Sequence, residues 1–321
     1  MKTRMKIGPI SLRGHLILAP MSGITDTCFR SLCKRAGAAL VYSEMLSAEA
    51  ILRNNPYTRY LLKCSAEERP VAMQIFGSCP ERMAAGALKL EAEGADLIDL
   101  NLGCPARRIV REGSGSALME NPQKTEKIIR AVVRAVRIPV TVKLRVHPHL
   151  ILIGKICENE GISAVALHAR TREQGFRGLP DLPVLRQLKR TLSLPVIGNG
   201  GVRDALSLKR MKEETGCDGI MIGRAAVQDP GIFKRLNHFL ARGVVLPPSS
   251  IEQRLSFFRL YVKKILEEFS YRNPLPRLRR VSSSLFHDFP GAKDWRIRMN
   301  SVKDLDELLR ILKEKTYVPV T

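Results

Sequence analysis

Residues 97–118 read LIDLNLGCPARRIVREGSGSAL, and the interpretation of the whole chain starts from this stretch. Its first six residues form an apolar run of strand length without a helical period, and glycine and proline breakers follow it. The pattern predicts a buried strand that ends near Asn101 and delivers Cys104 into a mobile loop.

Cys104 admits two interpretations. Free cysteine is among the most often buried residue types, so packing is the default role of an arbitrary cysteine. Here Arg107, Arg108 and Arg111 follow shortly after the thiol. Cationic surroundings are typical of functional cysteines because they favour a thiolate or an oriented thiol. The sequence therefore favours a functional role.

The apolar run belongs to a series of eight similar segments. Each is followed by breakers and then, as in PERMAAGALKLEAEG, by apolar residues that recur every three or four positions. The segments are LILAP (16–20), ALVYSE (39–44), VAMQIFG (71–77), LIDLNLG (97–103), VTVKLRV (140–146), AVALHAR (164–170), PVIGNGG (195–201) and GIMIGR (219–224). Eight strand–helix alternations predict an α/β TIM (β/α)8 barrel, whose catalytic groups lie at the C-terminal strand ends. A doubly wound open sheet is disfavoured because no Gly-x-Gly-x-x-Gly turn follows the first segment.

The pattern changes after about residue 240. ARGVVLPPSS, residues 241–250, predicts a linker, and helical periodicity then predicts helices over residues 251–269, 275–289 and 302–314. Ser301 is the expected N-cap of the last helix, with Asp304 in its first turn. We predict a barrel domain over residues 1–240 and a small C-terminal helical domain over residues 250–321.

Composition narrows the class of protein. A length of 321 residues with 45% hydrophobic content allows a substantial core. No stretch approaches the roughly 18 apolar residues of a membrane span, and the N-terminus lacks a signal-peptide pattern, so we expect a soluble, cytoplasmic and monomeric protein. The seven cysteines are odd in number and contain no Cys-x-x-Cys pair, which suggests neither a disulfide framework nor a metal site.

The net charge of +22 points to a polyanionic partner, first of all a nucleic acid. A solubilising surface charge is the alternative. The tail concentrates basic residues near aromatic side chains that could stack on bases: Arg272, Arg277, Arg279, Arg280, Lys293, Arg296 and Arg298 lie close to Tyr271, Phe286 and Trp295. The competing interpretation is that some of these arginines form ion pairs with Asp288, Asp294 or the acids of the last helix.

Polar residues collect at the predicted C-terminal strand ends. In a TIM barrel the loops after strands 7 and 8 frequently bind a phosphate through backbone N–H groups that glycines leave accessible. GNGG (198–201) and IGRAA (222–226) lie there, and Arg224 would add a charged contact; otherwise the glycines only form tight turns. Lys143 and Gln74 would then face the ring of a phosphate-bearing cofactor whose reduced form is anionic, as in a flavin.

Eight sequence blocks carry a resemblance to a known family. They are APMSGITDTCFR (19–30), VYSEMLSAEA (41–50), MQIFGSCPE (73–81), DLNLGCPARRIVREGSGSAL (99–118), PVTVKLR (139–145), HARTREQGFRG (168–178), PVIGNGGVRD (195–204) and GCDGIMIGRAAVQDPGIF (216–233). In this order they resemble the tRNA-dihydrouridine synthases, most closely the bacterial B-type branch, over nearly the whole chain.

The resemblance implies a non-covalent FMN in the barrel, a helical domain that binds tRNA, and NADPH as the usual reductant. It implies FMN contacts from Pro20, Met21, Ser22, Gln74, Lys143, His168, Asn199, Gly200, Gly201, Gly223 and Arg224. It also implies that Cys104 is the proton donor. We assign substrate contacts to Asn101, Arg145, Arg172, Arg277, Arg279 and Arg280.

The chemistry agrees with this assignment. Reduction of the uracil 5,6 double bond needs a hydride at C6 and a proton at C5, and a thiol with an ordinary pKa of about 8.5 is protonated at neutral pH. The rival enzyme class is a flavin-dependent oxidoreductase of a free pyrimidine, such as a dihydroorotate dehydrogenase, which needs no basic helical tail. A second rival is an RNA-binding protein without chemistry, which would not need Cys104, Lys143 and His168 together.

Overall fold

A computed structural model describes residues 4–54, 56–268 and 273–313. Eight parallel strands form a closed barrel: β1 Leu16–Leu18, β2 Leu40–Tyr42, β3 Val71–Phe76, β4 Leu97–Asn101, β5 Val140–Arg145, β6 Ala164–His168, β7 Val196–Asn199 and β8 Gly219–Ile222. Each strand pairs with the next in the chain, and β8 pairs with β1 to close the ring. The predicted TIM barrel is confirmed, with a strand in each of the eight predicted segments.

Helices surround the barrel and continue beyond it. They are α1 Thr27–Arg35, α2 Ala48–Arg53, α3 Pro56–Leu62, α4 Pro80–Ala92, α5 Arg107–Arg111, α6 Pro122–Ala135, α7 Leu150–Asn159, α8 Leu182–Thr191, α9 Ala205–Thr215, α10 Arg224–Gln228, α11 Ile232–Arg242, α12 Ile251–Glu268, α13 Leu275–Leu285, α14 Ala292–Ser301 and α15 Leu305–Lys313. The segments Ala66–Glu68 and Gly115–Glu120 are 3-10 helices, and Leu46–Ser47 is a short strand paired with β3.

Local chemistry fixes where several helices begin. The carboxylates of Asp26, Asp181 and Asp204 accept backbone N–H bonds at the starts of α1, α8 and α9, and Asn121 does the same for α6. Such caps satisfy N–H groups that have no partner within the helix. These caps therefore fix the residue at which each of these loops ends and its helix begins.

Two apolar clusters form the core. One fills the barrel interior and includes Ile17, Leu40, Leu97, Ile197 and Met221. The N-terminal hairpin, Lys6–Ile7 paired with Ile10–Ser11, adds apolar side chains to this cluster. The second cluster lies between the strands and the helices and continues into the C-terminal helices. The packed interior leaves the C-terminal strand ends as the place for a site.

The C-terminal region contains four helices, α12 to α15, where the sequence predicted three. The predicted helix over 275–289 ends at Leu285, and the additional helix α14 follows. The N-cap prediction for Ser301 is wrong: Ser301 ends α14, and Asp304 accepts the N–H of Glu307 at 2.8 Å. The ring of Phe29 on α1 packs against Phe257 and Tyr261 of α12, with centroids 5.9 and 6.0 Å away. The division into two domains at residues 240–250 stays a prediction.

No helix in the described part of the chain is both long and apolar enough to cross a membrane.

Candidate active site

A cavity of about 940 Å³ opens at the C-terminal ends of the barrel strands. All eleven predicted cofactor contacts line it: Pro20, Met21, Ser22, Gln74, Lys143, His168, Asn199, Gly200, Gly201, Gly223 and Arg224. Asn101, Cys104 and Arg145 line it as well. Arg172 does not; it lines a neighbouring cavity of about 530 Å³ and pairs with Glu120 at 3.0 Å.

A chain of hydrogen bonds leads from the barrel interior to Cys104. Asp99, fully buried on β4, accepts bonds from Thr141 Oγ1 at 2.6 Å and Gln74 Nε2 at 2.7 Å. Because Gln74 donates through Nε2, its Oε1 is free to accept from Asn101 Nδ2, at 2.8 Å. Asn101 Oδ1 then accepts the backbone N–H of Cys104 at 2.9 Å. The loop that carries the thiol is therefore fixed at its start.

Asp99 is a site residue that the sequence did not single out. Burial raises the pKa of Asp99 to about 6, against the lowering effect of its bonds to Gln74 and Thr141. The signal available in the sequence was a lone acid inside an apolar strand, since buried acids require partners.

Lys143 provides a half-buried cation in the cavity wall. Its Nζ donates to Asn199 Oδ1 at 3.1 Å, and Asn199 Nδ2 donates to the Met221 carbonyl at 2.8 Å. Burial, reinforced by the positive charge of Arg145, lowers the pKa of Lys143 to about 8. An anionic group beside this amine would favour its charged form.

Burial raises the pKa of the Cys104 thiol above its ordinary value, although the charges of Arg145 and Lys143 act in the opposite direction. The prediction that Arg107, Arg108 and Arg111 favour a thiolate is wrong because the pKa is raised, whereas the alternative of an oriented thiol stays a prediction. These arginines are exposed on α5, and Arg108 pairs with Glu112. The group is therefore a protonated thiol at neutral pH.

Arg145 holds the loops around the thiol. Its Nε donates to the Gly103 carbonyl at 2.7 Å, and its Nη1 donates to the carbonyls of Thr171 and Gly175, both at 2.9 Å. The side chain is buried, so these bonds replace those that water would make. This geometry gives Arg145 a positioning role beside Cys104, while its predicted contact with substrate stays a prediction.

The glycine loops after β7 and β8 also line the cavity, through Gly200, Gly201 and Gly223. Gly200 has φ +127°, a conformation that favours glycine, and a Cβ there would lie 3.1 Å from Arg170 Nη1 and 3.3 Å from the ring of His168. A side chain at this position would therefore press against Arg170 and His168, two residues that line the cavity. Gly223 immediately precedes α10, and Arg224 begins that helix.

His168 is a neutral hydrogen-bonding group. Burial and the neighbouring charge of Lys143 lower the pKa of His168 to about 2. Arg170 Nη1 lies 3.3 Å from His168 Nε2, and because arginine can only donate, Nε2 must accept. The ring proton is therefore on Nδ1.

The sequence also did not single out Phe176. This ring is 58% exposed at the cavity rim, with its centroid 5.8 Å from the His168 ring. The guanidinium carbons of Arg224 and Arg145 lie 5.0 and 5.8 Å from the same centroid, within cation–π range. These contacts join three separate loops, which no local sequence pattern indicates.

The arginines of the predicted basic tail differ in their exposure to solvent. Arg277 is buried, with Nη1 2.9 Å from Asp26 Oδ2 and 2.6 Å from Glu44 Oε1. The prediction that Arg277 contacts a phosphate is therefore wrong, and its carboxylate partners belong to the barrel rather than to the tail. Arg279 is half-buried and donates to the Val302 carbonyl, whereas Arg280 is exposed beside Ser22.

The aromatic residues of the tail are not free to stack on bases. Phe286 and Trp295 are buried against each other with centroids 4.8 Å apart, and Trp295 Nε1 donates to Ser282 Oγ at 2.9 Å. The predicted stacking role of these two rings is therefore wrong. Tyr271 and Arg272 lie outside the described residues.

A family model described as dihydrouridine synthase matches residues 17–319 of the chain. The chain belongs to the dihydrouridine synthase family. Membership confirms the resemblance seen in the eight sequence blocks and assigns the enzyme class, a flavin-dependent oxidoreductase of the tRNA-dihydrouridine synthase type. The cavity described above is the candidate active site of this dihydrouridine synthase.

Individual relatives match along most of their length. The tRNA-dihydrouridine synthase B of Xanthomonas axonopodis pv. citri (strain 306) is 36% identical over 319 residues, covering 97% of this chain and 95% of that protein. The tRNA-dihydrouridine synthase B of Klebsiella pneumoniae is 35% identical over 314 residues, covering 96% and 98%. Similarity at this level extends through the C-terminal helices of the dihydrouridine synthase as well as its barrel.

Solved structures share the fold at much lower identity. Histamine dehydrogenase from Rhizobium sp. 4-9 is 12% identical with a TM-score of 0.56, over 81% of this chain and 50% of that chain. A 6-hydroxypseudooxynicotine amine oxidase from Pseudomonas geniculata N1 is 12% identical with a TM-score of 0.58, over 74% and 49%. These likenesses concern the architecture of the dihydrouridine synthase alone.

Proposed function

We propose that this protein reduces the C5–C6 double bond of uridines in tRNA, with FMN as the bound cofactor, Cys104 as the proton donor and NAD(P)H as the reductant. The observation that carries the proposal is the protonated thiol of Cys104, whose backbone N–H is held by Asn101 at the same cavity mouth as Lys143 and the glycine loops. Family membership supplies the reaction class.

The residues present fit FMN. The cavity offers a glycine-lined end at Gly200 and Gly201 with Arg224 beside it, which suits a phosphate. It also offers a half-buried amine, Lys143, and the neutral N–H donor of His168, which suit the carbonyl and nitrogen edge of a flavin ring. When bound, FMN supplies the hydride that C6 of the uracil ring receives.

Cys104 completes the reduction by protonating C5, so that one carbon–carbon double bond becomes a single bond and the thiol becomes a thiolate that is later reprotonated from solvent. Arg145 and Asn101 keep the thiol loop in place during this transfer. A general acid of this kind contributes about 10²- to 10⁴-fold to a rate. The uracil base must be turned out of the RNA stack to reach the cavity, at a cost of a few kcal/mol.

The polyanionic substrate explains the charge of +22. A free pyrimidine would not require the exposed cations around the cavity mouth, such as Arg203, Arg210 and Arg224, so reduction of a free metabolite is the weaker candidate. We place the enzyme in the cytoplasm as a monomer, where tRNA and NAD(P)H are available.

The decisive experiment reconstitutes the purified protein with FMN and incubates it with NADPH and tRNA from a strain that lacks dihydrouridine. We expect a yellow protein that releases FMN on denaturation and forms dihydrouridine, detected by mass spectrometry of tRNA nucleosides. Absence of flavin binding after supplementation would contradict the cofactor assignment. Reduction of free uridine or orotate in place of tRNA would favour the metabolite enzyme.

The affinity for FMN should decrease as the pH rises above about 8. The pKa of Lys143 is lowered to about 8 in the free protein, and the electron-rich edge of a bound flavin stabilises the ammonium and raises that pKa. Binding is then coupled to proton uptake, so the Kd for FMN should rise roughly tenfold per pH unit between about pH 8 and 9.5. Quenching of flavin fluorescence measures this Kd.

The matched variant for this test is Lys143→Met, which removes the amine but keeps much of its volume. Its Kd should be higher at pH 7 and should vary much less with pH. A wild-type Kd that stays constant to pH 9.5 would show that the amine does not face the cofactor.

A further inference from the structure

Helix α13 of the C-terminal region reaches the mouth of the barrel through a buried ionic cluster. The cluster consists of Asp26, Glu44, Tyr261 and Arg277, none more than 8% exposed. Arg277 Nη1 contacts both carboxylates, at 2.9 and 2.6 Å, and the Tyr261 hydroxyl donates to Asp26 Oδ2 at 2.8 Å. These contacts connect residues more than 200 positions apart in the sequence.

The two carboxylate oxygens of Glu44 accept hydrogen bonds from two different segments of the chain. Oε1 accepts from Arg277, and Oε2 accepts the backbone N–H of Gly23. Gly23 directly follows Met21 and Ser22, two residues that line the cavity. Glu44 therefore links the guanidinium of α13 to the segment that forms one wall of the candidate cofactor site.

A second contact from the same helix touches the same segment. Arg280, one turn after Arg277, places Nη1 3.3 Å from the Ser22 carbonyl. Gly23 has φ +76°, and a Cβ there would lie 1.9 Å from Arg280 Nη1, so only glycine allows this approach. Helix α13 thus reaches this segment in two ways, directly through Arg280 at Ser22 and indirectly through Arg277 and Glu44 at Gly23.

We propose that Glu44 and Arg277 are positioning residues that hold the Met21–Gly23 segment in the shape required for cofactor binding, so that the C-terminal helices help to form the cofactor site. The proposal rests on the proposed function, because the ligand concerned is FMN. Stability alone does not account for such a cluster, since a buried ion pair often stabilises no more than apolar residues of the same size. Fixing one geometry of the segment is a role that apolar packing would not fill.

The test compares Glu44→Gln with a matched variant in the same barrel. Glutamine keeps the volume of Glu44 but replaces one carboxylate oxygen by an NH2 donor, and because Gly23 and Arg277 donate to different oxygens, one of the two bonds is lost. The control is Glu68→Gln, which alters the buried Arg30–Glu68 ion pair, also attached to α1 but not lining the cavity. Arg277→Lys and Arg277→Met provide a conservative and a disruptive change on the other side of the cluster.

Three quantities are measured on the full-length protein: the melting temperature, the Kd for FMN, and hydrogen–deuterium exchange of a peptide covering residues 20–26. We expect Glu44→Gln and Arg277→Met to raise the Kd about tenfold and to accelerate exchange in this peptide. Arg277→Lys should lie between Arg277→Met and the wild type. Glu68→Gln should lower the melting temperature without changing the Kd.

Either of two results would overturn the proposal: unchanged Kd and exchange in Glu44→Gln, or an equal rise in Kd in Glu68→Gln, which would indicate general destabilisation. If the wild-type protein binds no FMN, the proposed function fails. The exchange data still decide whether Glu44 and Arg277 hold the segment, so the two failures are distinguishable.

Discussion

Cys104→Ala should reduce uridine in tRNA at least about a hundredfold more slowly than the wild type, while FMN binding and NADPH oxidation continue. The variant removes the proposed proton donor but leaves the Asn101 and Arg145 contacts, which involve the backbone of the loop. The initial rate of dihydrouridine formation, measured by mass spectrometry with FMN content determined in parallel, checks this expectation.

The matched controls are Cys28→Ala and Cys157→Ala. Both thiols are buried and burial raises their pKa, so these changes should lower stability and leave the rate within about twofold.

Because burial also raises the pKa of Cys104, the wild-type rate should hold through neutral and mildly alkaline pH and decline only above the ordinary thiol pKa. A Cys104→Ala enzyme with wild-type turnover would assign the proton to another group.

The barrel was predictable because its signal is periodic and local. Each strand is a short apolar run followed by breakers, and all six residues of β3 are indeed buried or nearly so. Residues that follow such runs must gather at one end of a parallel barrel. This rule alone placed Gln74, Lys143 and Gly200 around one cavity, although they are far apart in the sequence.

The errors arose where a role depends on contacts between distant segments. Arg277 lies in a basic stretch and was interpreted as a surface cation, but Asp26 and Glu44 from the barrel enclose it. Trp295 was interpreted as an exposed stacking ring, but Ser282 and Phe286 bury it. Helix α14 was missed because only three of its ten residues are buried, which leaves a weak periodic signal.

The exposed cations of the predicted basic tail, as far as the structure describes it, provide the second prediction. Arg280, Lys293 and Arg296 are all exposed, and Arg280 lies beside the cavity segment at Ser22. A tRNA that places one base in the cavity would bring its backbone against such a surface. Each phosphate that a cation neutralises releases counterions, so affinity decreases with salt in proportion to the number of contacts.

The triple variant R280A/K293A/R296A should therefore bind tRNA with a salt slope flatter by about three units, if each cation contacts one phosphate. At 0.1 M salt this corresponds to a loss of affinity of up to roughly a thousandfold. Filter-binding titrations at several salt concentrations measure both quantities, and FMN content verifies that the barrel is intact.

A control variant, K127A/R134A/R137A, removes three exposed cations on and just after α6, on the outer layer of the barrel. This control has the same net charge as R280A/K293A/R296A, so it should keep the wild-type slope if position rather than total charge matters.

The comparison that locates the RNA surface is a third variant, R107A/R108A/R111A, on the other exposed basic segment near the cavity. A flat slope in this variant, together with a wild-type slope in R280A/K293A/R296A, would move the tRNA surface from the C-terminal helices to α5.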